Sequence, residues 1–188
     1  VKHARYFVNA AGIGFDAEVA LQTNKLKDVG RRGTLLYMFS LLKSLIGYHH
    51  TKVNITVDST EIQERILSLT IGIGCYNGAG MMQVPNAVVN DGLFDITIIK
   101  KISVLGVLRN IHRLYDGSIL KHPKISSYRG KEIKITSNPP IKLEADGESL
   151  GESPFHFSIL PEAINVVVSK TYNSKPKHET ELIPSKIN

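Results

Sequence analysis

The feature that most constrains this chain is a two-residue alternation of apolar and polar side chains, recurring in short runs. Val53, Ile55 and Val57 alternate with polar residues, and Leu67, Leu69, Ile71 and Ile73 do the same. The pattern returns at Ile96 and Ile98, Ile133 and Ile135, Ile141 and Leu143, Phe155, Phe157 and Ile159, and finally Ile164, Val166 and Val168. Successive strand side chains point to opposite faces, so this period marks strands with one buried face. About seven or eight such runs, separated by turn signals, predict an antiparallel β-sandwich or barrel-like domain. Helical spacing occurs in two places. One is the apolar run 33–47, between Gly33 and Gly47; the other starts at Ser103 as N-cap and reaches about Tyr115, before Asp116-Gly117. The expected class is mostly β within α+β, with two main helices. Two helices supply no βαβ series, which argues against a doubly wound nucleotide fold.

A chain of 188 residues with 42% hydrophobic content can bury one sizeable core. A single domain over 1–170 is expected. The polar, Pro-containing segment 171–188 reads as a flexible tail. The net charge of +6 suits an anionic partner such as a membrane surface or a nucleotide. No basic strand interleaved with aromatic residues is present, which argues against nucleic acid. A lone cysteine, Cys75, allows no internal disulfide and no multi-cysteine zinc site, and fits a reducing, cytoplasmic setting. Val1-Lys2-His3 leads into a strand-like run with no apolar leader, and the missing initiator methionine is expected of a piece of a longer protein. The run 33–47 falls short of the roughly 20 apolar residues a membrane span needs, and Lys43 interrupts it. It reads as a buried helix, with a lipid-facing helix as the alternative.

Three loops are richer than connection alone requires. Asn9–Glu18 carries Gly12-Ile13-Gly14, short of the full dinucleotide fingerprint and with no strand–turn–helix frame expected after it. The plain reading is a strand kinked by glycines. The second loop runs from Cys75 to Asp95, an irregular stretch of roughly 18 residues, a length that usually means function or disorder. Met81, Met82, Val84, Val88 and Val89 make it too apolar for disorder. The third, Glu144-Ala145-Asp146-Gly147-Glu148, sets three carboxylates within five residues. It is either a solvated hairpin turn or a place where an acid meets a hydroxyl, a metal or a phosphate.

In this order and spacing, "GIGFDAEV", "YNGAGM", "DGLFDI" and "EADGE" with the following "PFHF" resemble the C-terminal domain of the diacylglycerol-kinase catalytic family. More narrowly they resemble its bacterial lipid kinases, relatives of the sphingosine kinases. The resemblance implies an ATP-dependent enzyme of two domains, the first carrying a Gly-Gly-Asp-Gly-Thr nucleotide loop. That loop does not occur here, so the chain is expected to be the β-sandwich half, with the N-terminal nucleotide-binding domain absent and no activity alone.

The resemblance also implies roles. Glu148 becomes the proton acceptor. Asp146, expected on the same strand face, would orient Mg²⁺-ATP or raise the pKa of Glu148. Lys27, ahead of Gly30, takes the place where relatives bring an arginine to the ATP phosphates. Arg31 and Arg32 have no matched role and suit phosphates, anionic headgroups or solubility alike. A structural Mg²⁺ would be held by the Asp91 carboxylate and the carbonyls of Val88 and Leu93. Asn77, Gly78, Gly80 and Met81 would line the substrate. Ala20 stands where sphingosine-type enzymes carry an acid, which favours an uncharged, glycerol-like lipid alcohol. The partners implied are a lipid substrate and peripheral contact with an anionic membrane, and a homodimer is compatible. The alternatives are kinase action on a soluble alcohol, as in NAD kinases, or a non-catalytic β-sandwich that binds lipid or a partner.

Overall fold

The computed structural model describes residues 4–28 and 43–169. Most of the helix expected over 33–47, the tail from 171, and Gly30, Arg31 and Arg32 lie outside the described residues. Among those described, the elements run β1 (Ala10–Gly14), α1 (Phe15–Asp28), β2 (Thr51–Val57), β3 (Thr60–Gly72), β4 (Phe94–Lys100), α2 (Val104–Asn110), α3 (Arg113–Asp116), a 3₁₀ turn (Ser118–Lys121), β5 (Ile125–Gly130), β6 (Glu132–Ser137), β7 (Lys142–Ala145), β8 (Glu148–Glu152) and β9 (Phe155–Ser158). Every strand pairing is antiparallel. The fold is the expected mostly β, sandwich-like domain.

β3 organises it. Its first half, Thr60–Ile66, pairs with β2, which leads on to β6 and β9. Its second half lies between β1 and β4, with β7 and β8 beyond β1 and β5 beyond β4. The register shifts between Ile66 and Ser68, a bulge that bends the strand and re-aims Leu67. Ile66, Leu69 and Ile71 enter the main core with Ile55, Ile96, Ile98, Ile133 and Ile135. Leu67 instead joins Phe15, Val19, Leu45 and Ile102, a second cluster beneath α1. The second half of β3 is thus buried on both faces. Its alternation reads correctly from Leu69 onward, whereas Leu67, expected on the same face, is moved off it by the bulge, and the polar face (Ser68 and Thr70) is covered rather than solvated.

Three expectations are corrected. A strand–helix frame does follow the first glycine pair, because α1 starts directly after β1. Its signal is the i, i+4, i+8 spacing of Phe15, Val19 and Thr23, all buried. The helix expected from Ser103 to Tyr115 breaks into α2 and α3, although Ser103 does cap it, its hydroxyl accepting from the Gly106 N–H at 3.2 Å. The strand expected at 164–168 forms no ladder. After Ile159 donates its N–H to the Lys131 carbonyl, Leu160-Pro161 carries the chain off the sheet. Proline has no N–H to continue pairing, and Ile164 and Val166 stay 60% and 68% exposed.

The same apolar alternation therefore has opposite energetic meaning at two places. Ile135→Ala should lower the unfolding free energy by about 2–5 kcal/mol, whereas Val166→Ala should stay within about 0.5 kcal/mol. Urea unfolding of both variants checks this, and equal losses would contradict the ladder described.

Candidate functional site

The Glu144–Glu148 run is a tight hairpin. Ala145 pairs directly with Glu148, leaving Asp146 and Gly147 as the turn residues, with φ of 49° and 88°. Positive φ at both is the type I′ geometry for which Asp-Gly is a preferred sequence. Asp146 therefore does not share a strand face with Glu148, as expected from spacing alone; it lies in the turn. Its carboxylate reaches back to the chain entering β1. Oδ2 accepts the Val8 N–H at 2.8 Å, and Oδ1 accepts those of Asn9 and Ala10 at 3.1 and 3.0 Å. The Asp146 N–H donates to the Ala10 carbonyl at 2.9 Å. Asn24 of α1 donates through Nδ2 to the Gly147 carbonyl at 2.8 Å, and the Gly147 N–H donates to Glu144 Oε2 at 2.9 Å. The turn is clamped from three sides. Glu148, exposed at the head of β8, projects beside it. Together with Asp146, Leu150 and residues 4–6 it lines an open cleft of about 420 Å³.

Behind the turn lies a buried acid pair that sequence reasoning missed. A Cβ added to Gly12 would stand 2.6 Å from Glu144 Oε1 and 2.8 Å from Asp16 Cβ, so both acids crowd one point over β1. Only glycine admits that approach. Thr70 Oγ1 lies 3.0 Å from Asp16 Oδ2 and 3.2 Å from Gln83 Oε1, and Asn77 Nδ2 donates to Gln83 Oε1 at 3.2 Å. A hydroxyl carries one proton. Both Thr70 contacts are satisfied together when Asp16 is protonated and donates to Thr70, which donates on to Gln83. The electrostatics agree. Burial pushes Asp16 up to about 7, against the lowering effect of Thr70 and with Glu144 adding to the rise. Asp16 keeps some accessible surface as a residue, but its carboxyl is turned inward among these groups. Burial likewise raises Glu144, opposed by its bonds from Gly147 and Asn77. Asp16 and Glu144 stand inside the motifs singled out above; Thr70 and Gln83 reach them only through the β1–β3 register and the return of the second loop.

That loop separates into two parts. Near the acid pair, Asn77 and Met81 form a small bridge, with Gly78, Ala79 and Gly80 exposed between them. Met81 is buried, 1% exposed, and anchors the loop from below rather than lining its open side. At the far end, the Asp91 carboxylate accepts the Leu93 N–H at 3.0 Å and pairs with Arg129. Arg129 Nε also stands 3.0 Å from Oδ1 of the buried Asp95, an ionic contact rather than an aligned hydrogen bond. Burial pushes Asp95 up to about 6, and Arg129 holds it back. The Val88 carbonyl accepts the Asp91 N–H at 3.3 Å. Asp91, Val88 and Leu93 thus share one turn whose hard oxygen donors suit Mg²⁺ in kind. Among the described residues no three His, Cys, Asp or Glu side chains converge, so a cation there would lean on carbonyl oxygens. Lys27 falls in the last turn of α1, with its side chain outside the described residues.

Residues 9–168 match the family model of the YegS C-terminal NAD kinase beta sandwich-like domain. A diacylglycerol kinase of Staphylococcus carnosus is 32% identical, aligned over 96% of this chain and 57% of its own length. A protein described as a probable lipid kinase YegS-like, from Shewanella frigidimarina, is 31% identical over 87% of this chain and 52% of its own length. The crystal structure of a diacylglycerol kinase from Bacillus anthracis str. Sterne shares the fold, with TM-score 0.53 at 19% identity, covering 82% of this chain and 47% of that one. The chain spans about half the length of these relatives.

Asp16, with its raised pKa, has a pH signature. Its folded pKa lies above the ordinary carboxylate value. Its contribution is therefore present in full below about pH 4 and is lost as pH rises towards about 7. Asp16→Asn, which mimics the protonated acid, should remove that loss. Relative to the unaltered protein, the variant should gain about 2 kcal/mol between pH 5 and pH 8. Urea unfolding at both pH values measures it, and parallel pH profiles would mean Asp16 is ionised throughout.

Proposed function

The chain belongs to the YegS C-terminal NAD kinase beta sandwich-like domain family, and from that membership we propose that it is the substrate-binding, base-supplying half of an ATP-dependent lipid kinase. The proposed acceptor is the hydroxyl of a diacylglycerol-like lipid. The observation that carries this reading is Glu148, exposed on an open cleft directly beside a turn fixed by Asp146, Glu144 and Asn24. Phosphoryl transfer needs little covalent help from the protein; positioning and charge dominate. As the lipid oxygen bonds to the γ-phosphorus and ADP departs, the hydroxyl proton passes to the Glu148 carboxylate. A clamped hairpin holds that carboxylate in place without reorganisation. Asp146 supports the step as a positioning residue, since its oxygens serve backbone amides 8–10.

ATP would be held chiefly by a second, nucleotide-binding domain, with Lys27 contributing a point charge to its phosphates. The exposed loop Asn77–Gly80 would border the acceptor lipid, with Met81 fixing it from beneath. Mg²⁺ on the Asp91 turn would tie down the far end of the second loop, sharing the carboxylate with Arg129. Ala20 in place of an acid supports an uncharged acceptor over a sphingoid base. Among the described residues no helix is long and apolar enough to cross a membrane.

In the full-length protein, Glu148→Gln should cut phosphorylation of diacylglycerol by about 10²–10⁴-fold with an unchanged unfolding midpoint; near-normal turnover would remove Glu148 from its role. The isolated chain should turn over no ATP, and soluble alcohols should be poor acceptors beside lipid ones for the full-length enzyme. Mg²⁺ should raise the melting temperature by mass action, and Asp91→Asn should erase that rise. An Asp91→Asn variant that still responds to Mg²⁺ would place the ion elsewhere.

A further inference from the structure

α2 carries apolar residues on both its inner and its outer side, with Arg109 and Asn110 in its last turn. Val107 packs inward with Ile111 against the cluster of Phe15, Leu67 and Ile102. Val104, Leu105 and Leu108 face outward, exposed by 42%, 55% and 42%. Neighbouring exposed apolar side chains of this kind mark a candidate interaction surface. Exposed Tyr115 extends the patch past the end of the helix.

The rim is cationic. Between residues 101 and 124 the sequence has five Lys and Arg (Lys101, Arg109, Arg113, Lys121, Lys124) and two histidines, against one acid, Asp116. At the foot of α2 a cavity of about 450 Å³ is lined by His50, Lys101, Ile102, Ser103, Gly106, His122 and Lys124, without a carboxylate. Lys124 Nζ donates to the Lys101 carbonyl at 3.1 Å, which gathers the cations on one wall.

We propose that this face is where the protein sits on an anionic phospholipid bilayer. The outer residues of α2 enter the headgroup–acyl boundary, and the cationic cavity beside them receives a lipid phosphate. Charge complementarity selects the occupant: an apolar strip framed by Lys and Arg matches an anionic leaflet. Tyr115, with an apolar ring and a polar tip, suits the interface. Both cavity histidines are held below their ordinary pKa, by burial first and then by neighbouring cations. The face is also wired to the site, since the Leu114 carbonyl accepts the Met82 N–H at the base of the Asn77–Gln83 loop. Choosing a lipid surface over a protein partner rests on the lipid-kinase reading.

The test is sedimentation of the full-length protein with phosphatidylcholine vesicles and with vesicles containing phosphatidylglycerol. The protein should bind the second kind, weakening as salt is added. Two independent pairs, Leu105→Asp with Leu108→Asp and Lys101→Gln with Lys124→Gln, should each weaken binding about tenfold or more with unchanged unfolding midpoints. Either pair suffices if the other disturbs folding. Phosphorylation of vesicle-borne diacylglycerol should fall in step, while that of a soluble short-chain diacylglycerol holds. Absence of binding to phosphatidylglycerol vesicles would overturn the proposal. So would variants that bind like the unaltered protein, or a leucine pair that changes only the oligomeric state. Vesicle binding lost in the variants, without phosphorylation of either diacylglycerol by the unaltered enzyme, would sustain the docking face and sink the kinase reading.

Discussion

The carboxylate of Asp146 holds the site together. It joins the two-residue turn that precedes Glu148 to the three backbone amides entering β1. Hydrogen bonds to an acid oxygen are among the stronger available, and three converging on one side chain leave it little freedom. Removing them would free both partners at once, the hairpin and the chain segment 8–10. Residues 4–6, just ahead of that segment, line the same cleft as Asp146 and Glu148, so the group proposed to accept a proton stands beside a turn tied down by one short side chain.

Three carboxylates in five residues would repel one another if the hairpin left them side by side. It sends them apart instead. Glu144 turns inward, 3% exposed, and takes the Gly147 N–H; Asp146 turns back onto β1; Glu148 turns out to the cleft. Beneath them burial raises Asp16 to about 7, so below that pH the inner layer carries less charge than the sequence suggests. Each acid is separated from the next by a backbone turn, a hydrogen bond or a proton.

The sheet was legible in the sequence because period two survives burial. Ile55, Ile71, Ile96 and Ile135 enter the core that their alternation implies. α1 was obscured because its apolar stripe is narrow and includes Thr23, a polar residue whose hydroxyl bonds back to the Val19 carbonyl at 2.8 Å. The run Ile164–Val168 misled for a complementary reason: alternation records a preference for a partner strand, and here Pro161 steers the chain off the ladder. The site was half legible. Its motifs lie in the three quoted loops, but the acid pair needs Thr70, whose polarity on a strand reads as solvent-facing. Only the cover that α1 gives to the second half of β3 makes Thr70 an interior group.

The long second loop follows from the same logic. Length alone suggests a mobile flap, yet each part is tied by a different force. Met81 is buried and Asn77 reaches Gln83, so apolar burial and amide bonding fix the near part. Cys75 Sγ contacts the Ala87 carbonyl at 3.1 Å in the middle. Arg129 takes the far part electrostatically, set between exposed Asp91 and buried Asp95. A buried carboxylate without a cation is costly, so Arg129 is bound to Asp95 by desolvation as much as by attraction. Asp91 is the partner it can yield. The divalent ion proposed for the Asp91 turn would share that carboxylate with a guanidinium that stays on Asp95. At the near end, Gly78–Gly80 stays exposed between Asn77 and Met81, and Asn77 in turn reaches Gln83 beside the acid pair.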